Sequence, residues 1–215
     1  DPFVALIAAS RGYTDICELE QFISDEPYFT DFYQMADIKK AAEIISSAIK
    51  NGKKIAIYGD YDCDGVTATA LLINYFKSRN ADCIYYIPDR FSEGYGMNEK
   101  AVRYLYEQKA DLIITVDNGI LSFDEIKLAK ELGMSVVVTD HHLPSEILPN
   151  ADAVVNPHRK DCPSDFKEIC GAGVAFRLIC VLDDKEPEEI IEQYADILAV
   201  GIIADIMSLT LENRT

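Results

Sequence analysis

Five short apolar runs, separated by helical patterns, constrain the fold of this chain more than any other feature. Runs such as Leu112–Val116 and Val136–Val138 are apolar on both faces of a strand, as a parallel sheet covered by helices requires. Helical patterns near residues 66–79, 98–108 and 122–133 separate the first four runs. The sequence therefore predicts an α/β, doubly wound fold with a mainly parallel five-stranded sheet and helices on both faces. The predicted strands are Lys54–Gly59, Cys83–Pro88, Asp111–Asp117, Met134–Asp140 and Asp152–Asn156.

Helical segments are also predicted on either side of this alternation. Residues 14–33 are rich in acidic and aromatic side chains, including Glu18 and Asp25, and predict a short helix and a loop on the main body. From Ile38 apolar residues follow helical spacing until Asn51-Gly52, and the tail from Gly173 to Asp205 is also helical in pattern. We therefore predict a helical lead-in over residues 1–52, packed on the core, and a main domain over residues 53–215.

The composition limits the partners and the compartment of the chain. Its 37 acidic and 20 basic residues give a net charge of −17, which argues against binding a polyanion over the whole surface, so any nucleic acid must be met at a local site. Six scattered cysteines without a C-x-x-C pair suggest neither a zinc knuckle nor a disulfide framework and fit a reducing cytoplasm. No apolar run reaches the length of a membrane span and no signal peptide begins the chain, so no membrane partner is expected.

Three aspartates follow the first predicted strand at every second position, before Gly65 and small residues that can open a helix. In an extended stretch residues two apart share a side, so Asp60, Asp62 and Asp64 are expected to converge. Their carboxylates would raise each other's pKa unless a cation lay between them, and a divalent metal is the simplest such cation. An EF-hand loop begins similarly but needs a preceding helix and a glutamate where Leu71 stands. A structural Asp-Gly turn is an open alternative.

Two more predicted strands end in acidic residues. The third ends at Asp117-Asn118-Gly119 and the fourth at Asp140-His141-His142. Each alone could be a helix cap or a turn, but ligand sites in such sheets lie at the carboxyl ends of the strands, where all these acids would meet. Neutral imidazole is a metal ligand, and a neighbouring carboxylate can fix its tautomer. At least one of the two histidines is therefore expected to bind metal.

The predicted ligand types favour particular metals and a particular chemistry. Carboxylates with one or two imidazoles suit manganese or magnesium better than structural zinc, and the acids exceed what one ion needs. Two ions bridged by a carboxylate would clamp a phosphoryl oxygen and activate water, which predicts hydrolysis of a phosphoester or phosphoanhydride. No Walker-type loop or Gly-x-Gly-x-x-Gly fingerprint is present in the sequence, so nucleotide-driven and dinucleotide functions lose support.

These motifs resemble those of a known family. Gly59-Asp-Tyr-Asp-Cys-Asp-Gly65, Asp117-Asn-Gly119 and Asp140-His-His142 are similar to the successive motifs of the DHH phosphoesterases. Four further segments resemble the RecJ-type branch, whose members are exonucleases specific for single-stranded DNA, and the likeness covers essentially the whole chain. The segments are Tyr86–Gly96, Val155–Arg159, Gly171–Phe176 and Gly201–Asp205. The resemblance implies 5′-to-3′ hydrolysis of single-stranded DNA in repair and recombination, with helicase or single-strand-binding-protein partners for the full-length protein.

The resemblance also implies roles for individual residues. Metal ligands would be Asp62, Asp64, Asp117, His141 and Asp205, with Asp117 as the bridge between two Mn²⁺ or Mg²⁺ ions. Asp140 and His142 would orient ligands or contact the scissile phosphate, and Asp60 would support them. Arg90, Gly171 and Gly173 would face the nucleotide and its phosphates, since guanidinium groups and amides at a helix start bind anions.

One position departs from part of the family. Tyr58 stands where some DHH enzymes have a histidine four residues before the first ligand aspartate, which implies that one metal position depends more on water or substrate. RecJ-type proteins continue into DHHA1-like and oligonucleotide-binding domains, so the chain is expected to be an excised N-terminal catalytic domain. Two alternative functions are a DHH phosphodiesterase acting on short oligonucleotides or cyclic dinucleotides, and a metal-free scaffold, which would be expected to lose the acids that are present here.

Overall fold

A parallel β-sheet forms the centre of the protein. We describe residues 1–24 and 26–215 from a computed structural model; Asp25 and the side chains of Glu18 and Gln21 lie outside the described residues. Within those ranges five strands pair in the order β2-β1-β3-β4-β5, all parallel. They are β1 (Ile55–Tyr58), β2 (Cys83–Tyr86), β3 (Leu112–Val116), β4 (Ser135–Thr139) and β5 (Ala153–Val155). The predicted doubly wound, five-stranded sheet is confirmed, and its strand order reverses between β1 and β3.

Helices cover both faces of the sheet, as predicted. On one face lie α3 (Ile38–Lys50), α4 (Cys63–Ser78), α7 (Gly171–Asp183) and α9 (Ala195–Ala204); on the other lie α5 (Glu99–Glu107) and α6 (Phe123–Glu131). Side chains of β1 alternate between the two faces, because Ile55 and Ile57 join the first buried cluster while Ala56 and Tyr58 join the second. The remaining α-helices are α1 (Pro2–Ser10), α2 (Ile16–Ile23) and α8 (Pro187–Ile190).

The register of the strands aligns three of the acidic strand ends. Tyr58 of β1 pairs with Thr115 of β3, and Val116 of β3 pairs with Thr139 of β4. Continuing these pairings by one or two residues places Asp60, Asp117 and Asp140 at the same height along the sheet. The acids therefore meet at one edge beside the strand-order reversal, where doubly wound sheets bind their ligands.

A buried arginine connects segments that are far apart in the sequence. Arg177 of α7 is 0% exposed, and its guanidinium donates to Glu212 Oε2 at 2.6 Å and to Thr30 Oγ1 at 3.1 Å. A charge removed from water must be paired, and here the paired residues belong to the N-terminal segment and to the last turn of the chain. The contact fixes both segments against α7.

Two further features follow from the fold. Among the helices of the described chain, none combines the length and the apolar character needed to cross a bilayer. The six cysteines all have free thiols in the described structure.

Candidate metal centre

The acidic stretch after β1 is a helix start rather than an extended segment. Asp62 is the N-cap of α4 and accepts a hydrogen bond from the Gly65 amide at 2.9 Å, so Asp64 lies in the first helical turn. The extended path predicted for these residues is therefore wrong. Asp60 and Asp62 still offer ligand atoms within 4.8 Å of each other, whereas Asp64 lies with other partners. A capping aspartate satisfies amides that the first turn leaves unpaired, and this turns the three carboxylates toward two different sets of neighbours.

The possible ligand atoms form three overlapping groups, in each of which the atoms lie within 4.8 Å of one another. The first group is Asp64, His141 and Asp205, the second is Asp60, Asp62 and Asp117, and the third, which overlaps both, is Asp117, His141 and His142. Asp117 connects the first two, because its Oδ1 lies 3.1 Å from His141 Nε2. His141 Nε2 is in turn 3.7 Å from carboxylate oxygens of Asp64 and Asp205. The arrangement offers two neighbouring cation positions with one carboxylate between them.

Asp117 has the environment expected of a metal-binding carboxylate. It is 1% exposed, and no hydrogen-bond donor among the described residues reaches its Oδ1, because the nearby His141 Nε2 lacks hydrogen-bond geometry. Burial, and then the charges of Asp64 and Asp62, raise the pKa of Asp117 to about 10. An unpaired, buried oxygen among like charges needs a cation to be stable as a carboxylate. Together with the imidazoles, this donor set fits Mn²⁺ or Mg²⁺.

The sequence Asp117-Asn118-Gly119 forms the turn that holds this carboxylate. Asp117 itself has a left-handed backbone with φ of 60°, which costs free energy for a residue with a side chain. The buried Asn118 amide donates to the carbonyls of Val116 at 2.9 Å and Tyr58 at 3.2 Å. Gly119 has φ of 103°, and a Cβ there would lie 2.5 Å from Thr115 Oγ1. The turn therefore requires asparagine at 118 and glycine at 119, and it orients the Asp117 side chain.

Asp140 lies at the next strand end but has the opposite environment. Its carboxylate accepts hydrogen bonds from the amides of Ile120, His141 and His142 at 2.7–3.0 Å and faces His142 Nδ1 at 2.8 Å. Burial alone would raise its pKa, but the hydrogen bond with His142 and the backbone amides outweigh burial, and the net pKa is lowered. Asp140 belongs to no group of possible ligands within the described chain. It fixes the two histidines instead.

Asp64 combines a place in the first group with a structural contact. Its two oxygens accept from the amides of Gly171 and Ala172 at the start of α7, where the helix dipole favours a negative charge. The Gly171 amide is therefore already bonded within the protein, and a Cβ at Gly171 would lie 2.6 Å from Asp117 Cβ. A Cβ at Gly173 would lie 2.5 Å from Ile169. Gly171 therefore permits close packing beside Asp117, and Gly173 permits close packing against Ile169. Contact of either glycine with a nucleotide stays a prediction.

Arg90 contacts a residue of the acidic stretch after β1. Its guanidinium lies 5.1 Å from the centre of the Tyr61 ring, and no carboxylate of the described residues pairs with it. Tyr61 stands between Asp60 and Asp62 in the sequence. Tyr58, which stands where some DHH enzymes have a histidine, is buried. Its hydroxyl donates to the Gly96 carbonyl at 3.2 Å.

Two residues at the site had been given no role from the sequence. The Tyr95 hydroxyl lies 3.2 Å from His142 Nδ1 and donates to the Asp117 carbonyl at 3.5 Å. Burial and the charge of Asp140 raise the pKa of Tyr95, so it is a neutral hydrogen-bond donor. Asn156 is buried and donates to the His142 carbonyl at 2.9 Å. Both occur in segments that carried the resemblance, but neither residue type marks a metal site.

Comparison with known proteins agrees with this geometry. Residues 54–202 match the DHH family, N-terminal domain. The chain is 44% identical over 214 residues to the single-stranded-DNA-specific exonuclease RecJ of Bacillus subtilis, and 36% identical over 227 residues to that of Escherichia coli; both alignments cover 99% of this chain. It covers only 27% and 38% of those two relatives. The chain therefore spans between about a quarter and two fifths of their length.

Solved structures show the same similarity. A crystal structure of exonuclease RecJ bound to manganese superposes with a TM-score of 0.77 at 38% identity, covering 86% of this chain and 47% of that one. RecJ of Thermus thermophilus in complex with Mn²⁺ gives a TM-score of 0.75 at 33% identity, with coverage of 98% and 29%. The resemblance to RecJ-type proteins noted from the motifs is confirmed, and the match over residues 54–202 means that this chain belongs to the DHH family.

Proposed function

We propose that the protein is a Mn²⁺- or Mg²⁺-dependent phosphodiesterase that removes nucleotides from the 5′ end of single-stranded DNA. The observation that carries this proposal is the buried, unpaired oxygen of Asp117 between two groups of possible ligands. The names of the relatives, which specify single-stranded DNA, favour this function over hydrolysis of cyclic dinucleotides or very short oligonucleotides. Retention of the acids also disfavours a metal-free scaffold.

The first and second groups suggest how ions would be held. Asp64, His141 and Asp205 would hold one ion, Asp62 would hold the other with Asp60 in support, and Asp117 would bridge them. Such ions supply charge neutralisation for the phosphate and lower the pKa of an attacking water. Burial raises the pKa of Asp60, and its Oδ1 has no donor in the described structure. These properties support a place for Asp60 beside the second ion.

The surrounding residues orient the reacting groups. The contact of His142 Nδ1 with Asp140 fixes the imidazole ring and raises the pKa of His142, so that the protonated ring would donate from Nε2 to a phosphate oxygen. Tyr95 adds a neutral hydroxyl on the same side. Arg90 has a guanidinium without a carboxylate partner, which suits a phosphate of the bound strand. Gly171 would contribute by leaving room beside Asp117, and Gly173 by its place in the first turn of α7. Preorganised donors of this kind lower the barrier without reorganising during the reaction.

The remaining parts of the proposal concern the whole protein. We infer that residues 53–215 form the catalytic unit and residues 1–52 its helical lead-in, and that a more basic surface elsewhere in the full-length protein helps to hold DNA. Repair and recombination, helicase or single-strand-binding-protein partners, and a cytoplasmic location complete the proposal. Six free cysteines support a reducing compartment.

The test compares substrates with the Mn²⁺-loaded, full-length protein. We expect stepwise release from the 5′ end of labelled single-stranded DNA, little release from blunt duplex DNA and slower hydrolysis of dinucleotides. An Asp117→Asn variant, which keeps the size of the side chain, controls for contaminating nuclease. Preference for dinucleotides would replace the proposed substrate, and full activity in Asp117→Asn or with a chelator would refute the metal-dependent mechanism.

A further inference from the structure

The loop between β2 and α5 exposes an aromatic ring to solvent. Phe91 is 96% exposed, the largest value among the exposed large hydrophobic side chains of the described chain. Contact with water is unfavourable for an apolar ring of this size. A phenylalanine held almost entirely in solvent therefore raises the question of what it contacts during function.

Hydrogen bonds connect the residues of this loop to one another and to the flanking elements. Asp89 Oδ1 accepts from the amides of Phe91 at 3.1 Å and Ser92 at 2.9 Å. The carboxylate of Glu93 accepts from the Asp89 amide at 2.8 Å, from the Tyr86 hydroxyl at 2.5 Å and from the Asn98 side chain at 3.1 Å. These contacts tie the loop to β2 and to the start of α5. The exposure of Phe91 therefore belongs to a preorganised surface, which loses little entropy when a ligand binds.

The same loop borders the acids of the candidate centre. Arg90, next to Phe91, stacks its guanidinium over Tyr61, which lies between Asp60 and Asp62. At the other end of the loop, the Tyr95 hydroxyl touches His142. In the sequence the exposed ring is thus one residue from a cation that pairs with no carboxylate of the described residues, and four residues from Tyr95 at the site. A ligand whose phosphate reached Arg90 would have its neighbouring groups close to Phe91.

We propose that Phe91 is a stacking platform for a nucleobase of the bound single strand. The inference rests on the proposed function and adds to it a residue that selects for unpaired bases. Every nucleobase offers a flat face to an aromatic ring, so the contact tolerates any sequence. In a duplex both faces of an internal base are already stacked, so the contact requires an unstacked base. In a chain with a net charge of −17, an uncharged ring also supplies attraction that does not depend on a basic surface.

Substitutions in the Mn²⁺-loaded, full-length protein test this assignment. Phe91→Ala is expected to raise KM for single-stranded DNA about tenfold, the usual order for loss of one stacked base, with kcat nearly unchanged. Phe91→Trp should keep the wild-type KM, and Phe91→Leu, which is apolar without a flat face, should resemble Phe91→Ala. Tyr106→Ala is the matched control: Tyr106 is 50% exposed, but it lies in the last turn of α5, beside the segment that leads to the amino end of β3.

Abasic substrates show whether the ring meets a base. In wild type, removing a single base at successive positions from the 5′ end should raise KM strongly at one position. In Phe91→Ala that position should lose its effect, because ring and base act as a pair. Equal KM values for wild type, Phe91→Ala and Phe91→Leu on intact DNA would overturn the inference while leaving the proposed function standing. Absence of single-strand hydrolysis by wild type would overturn both.

Discussion

The ends of β3 and β4 carry two buried aspartates with opposite surroundings. Asp140 is 0% exposed and Asp117 is 1% exposed, yet Asp140 accepts several hydrogen bonds while Asp117 Oδ1 accepts none from the described residues. Their pKa values accordingly move in opposite directions, up for Asp117 and down for Asp140. Burial alone therefore does not identify a ligand. The comparison separates a carboxylate that supports the site from one that needs an external cation.

The largest expected effect concerns catalysis by Asp117. Asp117→Asn should lower kcat by at least about 10³-fold, because a carboxylate shared by two cations would be lost. Unfolding of the metal-free variant at neutral pH should need the same or more urea than wild type. Asparagine needs no proton, whereas the buried Asp117 carboxyl, with a pKa of about 10, must take one up on folding. Kinetics and urea unfolding measure the two quantities on one preparation. Turnover close to wild type would exclude Asp117 as the bridge.

The second prediction is that replacing Asp140, unlike replacing Asp117, lowers the stability of the metal-free protein. Asp140→Ala leaves the buried amides of Ile120 and His141 without acceptors, and each such group costs about 1–3 kcal/mol. We therefore expect the free energy of unfolding without metal to fall by about 2–4 kcal/mol, measured by urea denaturation. Asp140→Asn, which retains one carbonyl acceptor, should lose less. If Asp117→Asn were the more destabilising change, the contrast between the two aspartates would be wrong.

Metal should stabilise the wild type more than the Asp117 variant. Mn²⁺ at about 100 times its Kd adds about 2.7 kcal/mol to the stability of a state that alone binds it, and the melting temperature should rise by several degrees. In Asp117→Asn this rise should shrink or disappear. Titration calorimetry that detected no Mn²⁺ binding by wild type up to millimolar concentration would contradict the assignment of the centre.

The smallest expected effect, counted per pH unit, is the dependence of stability on pH without metal. Since the pKa of Asp117 is about 10 when folded and about 4 when unfolded, the native state binds the extra proton between these values. Stability should therefore fall as pH rises from about 5 to 8, by at most about 1.4 kcal/mol per pH unit. Asp140 has a lowered pKa, so its contribution is lost only at acid pH. Asp117→Asn should flatten the slope above pH 5; an unchanged slope would assign it to another group.

Much of the fold could be predicted because apolar patterns report burial directly. The strands were recognisable from residues apolar on both faces, and the acids at their ends followed from parallel topology. The start of α4 was predicted at residue 66 rather than Cys63, since Asp-Cys-Asp-Gly has weak helix propensity and the cap at Asp62 decides the boundary. The bonded amide of Gly171 was also unforeseen, because its partner Asp64 is distant in sequence.

Individual roles at the site were harder to predict than its location. Asp117 and Asp140 have the same side chain and follow neighbouring strands, and only their three-dimensional partners distinguish them. Tyr95 and Asn156 reach His142 from loops whose paths depend on packing, not on local pattern. Residue types predicted where the charged side chains would lie. They did not predict which of these side chains would be hydrogen-bonded within the protein.

The first group, formed by Asp64, His141 and Asp205, has a consequence for the order of folding. Its members come from α4, the loop after β4 and the end of α9, so they meet only when contacts of very long sequence separation have formed. Such contacts form slowly, because closing a long loop costs chain entropy before the contact contributes stabilising free energy. During synthesis this set of ligands is incomplete until α9 has emerged from the ribosome and packed. A metal bound by this group would therefore stabilise the fully folded domain and would not stabilise partly folded chains.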